Sequence, residues 1–310
     1  MKITVIGAAG TLGSCAAFNI VTHRLADELV ILDPWANMLR AHQADLSTAV
    51  TGQDITLYTG NDADMKGSDI VLMTAGAPSG KIASRNELLP GNLPIMRENA
   101  AKINKYCPEA IVITATNPVD PLNYAMYLLS QNRDRRRFIG YSLNDTYRFR
   151  TMAAKALGVA TSRVTGYVIG EHDASQVALF SSLRLDGRPV KVDDAFRDNI
   201  KQQVAATLDM LESLDPKRTT GWTSARGMEA IIRGITGYHG AVIPCSTVLD
   251  GEYGCRNLSM SVPVMLGREG IRGIQEMEMT PDEAERLKNS INTVTPHMRR
   301  VEEILGLSAG

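Results

Sequence analysis

Charge of a single sign is what this chain most plainly lacks: 33 Lys and Arg stand against 34 Asp and Glu, a formal net charge of −1. Binders of nucleic acid or of anionic membrane surfaces carry a positive surplus, so neither partner is expected. The local run Arg133–Arg137 (RDRRR) reads as a solvated loop. Cysteine is sparse too. Cys15, Cys107, Cys245 and Cys255 are widely separated and show no metal-ligand spacing, so no metal site is expected and the thiols read as reduced, packed side chains of a cytoplasmic protein. Apolar runs long enough to span a bilayer are missing, as are low-complexity segments and internal repeats. The chain opens on a strand-like run with no charged leader ahead of an apolar core, which adds to the expectation of a soluble, cytoplasmic protein.

What is present is an alternation of two periodicities. A chain of 310 residues with 44% hydrophobic content suits two tightly joined lobes better than one core. In the first half, apolar runs at 2–6, 29–32, 55–58, 69–74, 110–114 and 138–139 read as strands, with helices over 12–22, 35–50, 98–106 and 121–130. Strands that are almost wholly apolar and alternate with helices imply an α/β fold, a doubly wound parallel sheet covered on both faces. The second half reads as α+β. Helices are expected at 145–157, 194–214, 223–236 and 281–305, strands at 164–169 and within 175–185, and a strand-rich stretch at 242–266. Thr280-Pro281-Asp282-Glu283 is a strong helix start, with a cap residue, a first-position proline and acids in the first turn.

Three short segments carry chemistry. Gly7, Gly10 and Gly13 lie between the first strand and the first helix, where a phosphate-binding turn needs glycine and where Thr11 and Leu12 open the helix. Tight strand–helix turns also use glycine for structural reasons. Asp33, at the end of the second strand and 20 residues past the last glycine, changes that reading. A carboxylate there accepts from adenosine ribose hydroxyls and repels a 2′-phosphate, which favours NAD over NADP. Its other reading is a cap before Pro34. Asp145 and Arg148 are three residues apart and share a helix face, so they form either a carboxylate clamp or an ordinary intrahelical ion pair. His172 follows an apolar strand in Gly170-Glu171-His172, where a lone histidine is more often a core residue.

Taken together, these segments resemble the lactate/malate dehydrogenase family over essentially the whole chain. Further matching stretches are Thr116-Asn-Pro-Val-Asp120, Asp145-Thr-Tyr-Arg-Phe-Arg150, Ser261-Val-Pro-Val264 and Leu266-Gly-Arg-Glu-Gly270, and the Gly-Ala-Ala-Gly turn is similar to the malate branch. The resemblance implies a Rossmann-type dinucleotide-binding domain at 1–144, a substrate/catalytic domain at 145–310, and NAD-dependent interconversion of an L-2-hydroxy acid and its 2-oxo acid. It implies that His172 is the acid/base, a task suited to a residue type whose unperturbed pKa is ~6.5, with Asp145 fixing its tautomer. Arg148 would clamp the substrate carboxylate, and Arg85, on a segment resembling the family's mobile loop, would polarise the substrate carbonyl on closure. Asn117 would bond the cofactor ribose or the reacting oxygen, and Thr223 would line the opposite pocket wall. Ala75 and Gly76, after the fourth strand, would join the cofactor contacts. A homodimer or homotetramer is expected, in keeping with apolar residues on the 35–50 helix.

Two departures from the family pattern stand out. Ser79 occupies the loop position where malate enzymes carry Arg and lactate enzymes Gln, so it cannot pair with a second substrate carboxylate; Lys81, two residues on, is the nearest substitute cation. The usual Gly-Glu-His-Gly-Asp-Ser is here Gly170-Glu-His-Asp-Ala-Ser175. Asp173 therefore replaces a glycine beside His172 and, if turned inward, adds negative charge near the imidazole, while Ala174 replaces a carboxylate. A family member with lost catalysis or an atypical substrate is the competing reading. Related NAD-using glycosidases would need a metal site that the sequence does not offer.

Overall fold

In a computed structural model, which describes residues 1–78, 84–214, 219–237 and 242–307, the apolar runs of the first half become six parallel strands. These are β1 (Lys2–Ile6), β2 (Glu28–Leu32), β3 (Thr56–Thr59), β4 (Ile70–Met73), β5 (Ile111–Thr114) and β6 (Phe138–Gly140), in the order β3-β2-β1-β4-β5-β6. The central strands are buried on both faces, with Ile3, Val5, Leu72 and Ile113 wholly enclosed, because helices cover the sheet above and below. Those helices are α1 (Thr11–Thr22), α2 (Ala36–Ala49), α3 (Leu89–Tyr106) and α4 (Val119–Leu129). Strand order reverses between β1 and β4. Loops leaving the carboxyl ends of such strands open a crevice, the place where doubly wound sheets bind ligands.

The second half does not form a separate sheet only. After α5 (Leu143–Leu157) come β7 (Val164–Ile169), β8 (Val177–Leu185) and β9 (Arg188–Pro189), an antiparallel sheet of their own. Beside it Phe149, Val164, Phe180, Leu183 and Ile200 form a second, smaller core. The helices α6 (Asp194–Ser213) and α7 (Gly221–Thr236) follow, and then β10 (Val242–Asp250), β11 (Arg256–Gly267) and β12 (Gly270–Ile274) return to the main sheet. They extend it past β6 as antiparallel strands, giving nine among the described residues. The chain closes on α8 (Pro281–Leu305), whose start is a capping box: Thr280 Oγ1 accepts from Glu283 N, and Glu283 Oε2 accepts from Thr280 N. Among the described residues no helix is long and apolar enough to cross a membrane.

Three local expectations need correction. The helix expected from Glu98 begins at Leu89, because Pro90 sits at a first-turn position that needs no amide hydrogen, so it does not break the helix. The arginine run is not a solvated loop. Arg135 forks onto Glu252 at 2.8 and 3.0 Å, Arg136 pairs with Asp134, and Arg137 with Glu109. On α2 only Leu39 and Leu46 are buried, and the exposed aromatic is Trp35, just before the helix, so the helix itself carries no spare apolar face.

The joint between α1 and α7 rests on Glu229, whose side chain is 2% exposed. It accepts from Arg233 Nε and Arg226 Nη1 at 2.8 Å and from Asn19 Nδ2 at 3.0 Å, and lies 3.0 Å from His23 Nδ1. Burial alone would raise this carboxyl, but the bonds from Arg233, Arg226 and Asn19 outweigh it and hold the group at about 2, against an ordinary 4.5. A depressed carboxylate stabilises the fold above its unfolded-state value, and that contribution disappears as pH falls toward the folded one. Glu229→Gln is expected to cost about 2 kcal/mol near neutral pH, allowing for its half-exposed partners, and to flatten the acid limb of the stability–pH curve in urea titrations between pH 2 and 7.

Candidate active site

The glycine turn is held against the end of β2, with Gly7 N and Ala8 N both donating to Leu32 O at 2.8 and 3.1 Å. Gly7 has φ +88°, and a Cβ there would lie 2.5 Å from Ala75 N. At Gly13 a Cβ would lie 2.2 Å from Gly7 O, so α1 can approach its own turn this closely only without a side chain. Gly10 is exposed and caps α1 with no side-chain bond, and no acid occupies the first turn. The amide hydrogens and the positive dipole end are thus left for an anion, as a pyrophosphate site requires. Asp33 Oδ2 accepts from Ala9 N at 3.1 Å and Oδ1 from Trp35 N at 2.8 Å. Asp33 therefore does cap the turns around it, and its remaining lone pairs still suit ribose hydroxyls.

The opposite lip of the crevice is tied by a residue that the sequence did not single out. Asn92, buried in α3, accepts from Ala77 N at 2.7 Å and donates to Asn117 O at 2.6 Å. Thr116 Oγ1 donates to Ala75 O at 2.7 Å, so the Ala75-Gly76 segment and the Asn117 turn are fixed relative to each other. Asn117 Oδ1 is buried with no partner among the described residues. An orphaned polar atom at this lip fits a site completed by a ligand.

His172 follows β7 in a pocket of carboxylates. Its Nδ1 lies 2.5 Å from Asp145 Oδ2, and both side chains are 7% exposed. Burial would raise the Asp145 carboxyl, but the imidazole of His172 and then the guanidiniums of Arg148 and Arg85 prevail and hold it below the usual range. An ionised carboxylate can only accept, so the bond places a hydrogen on Nδ1 and fixes the tautomer. Nε2 makes no hydrogen bond to any described residue. The backbone is pinned as well: His172 N donates to Asp120 Oδ2 at 2.6 Å, and Glu171 N to Ser290 Oγ of α8 at 2.8 Å. Burial pushes Asp120 up to about 6. Gly170 exchanges backbone bonds of 2.9 Å with Ser261, which accounts for the Ser261–Val264 stretch as the brace under the histidine.

Arg148 donates from Nη1 to Asp145 Oδ1 at 3.1 Å and is 16% exposed. The intrahelical ion pair is therefore real, yet it uses one edge of the fork and leaves the rest for a carboxylate. Arg85 lies on a 3-10 turn (Arg85–Leu88) capped by Ser84, with its Nη1 3.3 Å from His172 O and 3.0 Å from Asp173 Oδ1. Asp173 thus turns toward Ser84 and Arg85. Thr223, exposed in the first turn of α7, is joined to the Asn144 end of α5 through Tyr141, whose hydroxyl donates to Asn144 Oδ1 at 2.8 Å and lies 3.3 Å from Thr223 O. Ser79 and Lys81 lie outside the described residues. A cavity of about 930 Å³ lined by Met1, Asp69, Cys107 and Arg137 lies at the opposite, amino-terminal ends of the strands, away from this chemistry.

An anion-binding turn at the switch point of a doubly wound sheet, linked through Asn92, Asn117 and Asp120 to a buried histidine–carboxylate pair, defines an NAD-dependent oxidoreductase. Residues 1–140 match the NAD-binding domain of lactate/malate dehydrogenase, and residues 143–305 match the alpha/beta C-terminal domain of the same enzymes. The chain belongs to the lactate/malate dehydrogenase family. It is 34% identical over 292 residues to malate dehydrogenase of Halobacterium salinarum, covering 92% of this chain and 94% of that protein. Among solved structures it is similar to the malate dehydrogenase of Cryptosporidium parvum, with a TM-score of 0.90, 27% identity, and coverage of 97% and 99%. It is also similar to that organism's lactate dehydrogenase bound to lactic acid and nicotinamide adenine dinucleotide, with a TM-score of 0.86, 29% identity, and coverage of 97% and 98%.

Because Gly13 packs against backbone, Gly13→Ala is expected to push α1 off its turn at a cost of about 1–3 kcal/mol, weakening NADH binding about tenfold to a hundredfold in a fluorescence titration. Unchanged affinity would mean that the turn does not hold the cofactor.

Proposed function

We propose that the chain interconverts an L-2-hydroxy acid and its 2-oxo acid, with His172 as acid and base. The observation that carries this reading is the buried His172–Asp145 bond with Arg148 on the other oxygen of the same carboxylate. Asp145 holds Nδ1–H, so Nε2 is the atom that takes the hydroxyl proton during oxidation and returns it during reduction. Bound NAD supplies the acceptor for the hydride that leaves the same carbon. Gly7, Gly10, Thr11, Leu12 and Gly13 would hold its pyrophosphate, Asp33 its ribose, and Ala75, Gly76 and Asn117 the facing lip. The open edge of the Arg148 fork receives the substrate carboxylate, and Arg85 stabilises negative charge growing on the carbonyl oxygen in reduction.

Residues 1–144 then serve the cofactor and 145–310 the substrate. A reducing, cytoplasmic setting is supported by Cys107, Cys245 and Cys255, all buried thiols. Self-association as a dimer or tetramer is supported by Phe18 and Trp222, 53% and 72% exposed, which border one cavity of about 450 Å³.

The test is NAD reduction by the purified protein with L-malate, L-lactate and a panel of bulkier and polyhydroxylated L-2-hydroxy acids. Turnover of at least one is expected, and silence across the panel with NADH binding intact would overturn the catalytic reading. His172→Asn should lower kcat about a thousandfold with NADH affinity kept. Arg148→Lys should raise KM about tenfold to a hundredfold, since an ammonium cannot reproduce the two-pronged contact. A KM unmoved by that change would place the substrate carboxylate elsewhere.

A further inference from the structure

We propose that Asp173 is a positioning residue that holds Arg85 at the catalytic end of β7 and, by neutralising it, tunes the site to 2-oxo acids with a single carboxylate. This rests on the roles given above to Arg85 and Arg148. The geometry is a two-oxygen clamp. Asp173 Oδ2 accepts from Ser84 Oγ at 2.7 Å and from Arg85 N at 3.0 Å, which fixes the backbone where the Arg85–Leu88 turn begins. Oδ1 accepts from Arg85 Nη1 at 3.0 Å, and the same nitrogen reaches His172 O at 3.3 Å. Asp173 is 16% exposed and Arg85 28%, so the pair is shielded enough to persist. Asp173 follows His172 directly, and the His172 amide is itself pinned to Asp120. The guanidinium and the imidazole are thereby referenced to one short piece of backbone. A glycine after the histidine, the residue of the family pattern, has no side chain to form this clamp.

The electrostatic consequence follows from pairing. Arg85 is matched by Asp173 and Arg148 by Asp145, so each cation already has a carboxylate on it before substrate arrives. Glu171, buried behind the histidine and bonded by Asn86 and Ser175, adds negative charge to the same end of the strand. A monocarboxylate needs only the open edge of Arg148. A second substrate carboxylate would enter a site where Asp173 already pairs Arg85, the group given above to the carbonyl oxygen, and would be repelled by Asp173.

The experiment is steady-state reduction by NADH of oxaloacetate and of neutral-side-chain 2-oxo acids from pyruvate upward, in the native enzyme, Asp173→Asn and Asp173→Gly. The native enzyme should favour a neutral acid. Asp173→Asn keeps one oxygen for Ser84 Oγ and Arg85 N, which hold the turn, but removes the charge and the acceptor for Arg85 Nη1, so it should raise the oxaloacetate-to-neutral ratio of kcat/KM about tenfold, mainly through KM, and keep kcat within about threefold. Asp173→Gly removes the clamp and should lower kcat at least about tenfold with every acid, a loss that Asp173→Asn largely restores. A native preference for oxaloacetate, an unchanged ratio in Asp173→Asn, or native kcat in Asp173→Gly would each overturn the proposal. If the native enzyme reduces no acid, the catalytic reading fails separately. Calorimetric binding of oxamate and tartronate to the enzyme–NADH complex then decides: tightening of the dianionic tartronate alone in Asp173→Asn supports the counter-ion role, and equal shifts refute it.

Discussion

A carboxylate buried beside an imidazole is the constraint on which the rest of this site depends. Taking the Asp145 carboxylate out of water is costly unless every lone pair that loses a water gains a donor. Here each oxygen has one: the His172 ring on Oδ2 and the Arg148 fork on Oδ1. The two donors come from different parts of the chain. His172 follows β7 and Arg148 belongs to α5, so satisfying one buried charge fixes the strand end against the helix. The tautomer of the His172 imidazole and the direction of the Arg148 fork are set by the same pair of oxygen atoms.

Much of the remaining architecture keeps that pair in place. The amide of His172 is bound to Asp120 in α4, the amide of Glu171 to Ser290 in α8, and Gly170 to Ser261 in β11. Ser290 is correctly placed because α8 starts in register at Thr280, and Glu283 of that capping box also accepts from Ser181 N in β8 at 3.0 Å. The position of His172 therefore depends on a helix cap about three turns ahead of Ser290. Rigid elements hold the site, and the described ends of its loops are bonded to them.

The features legible in the sequence were those whose cause is local. Glycine spacing at 7–13, the three-residue step from Asp145 to Arg148, and the cap at Thr280 each follow from one turn of backbone, and the structure has all three. Apolar runs gave the parallel strands because a strand buried on both faces has no other composition open to it. What escaped depends on partners distant in sequence. Asn92 is one of three asparagines in a helix masked by two prolines, and only its bonds to Ala77 and Asn117 reveal a role. The direction of Asp173 is decided by Ser84 and Arg85, 89 and 88 residues away. The arginine run reads as solvated until Glu109 and Glu252 are folded beside it.

The union of β6 with β10 has a consequence for how this chain can be divided. Ser246 pairs with Gly140, and Asn123 of α4 reaches across to Ser246 O and Ser259 Oγ. The cofactor half thus ends on a strand whose outer edge, among the described residues, is paired by β10, from about a hundred positions later. An excised amino-terminal fragment would expose that row of unsatisfied amides and carbonyls to solvent, a template on which further copies could stack. The sheet crosses the boundary between the NAD-binding half and the alpha/beta half, so the two share one set of backbone hydrogen bonds.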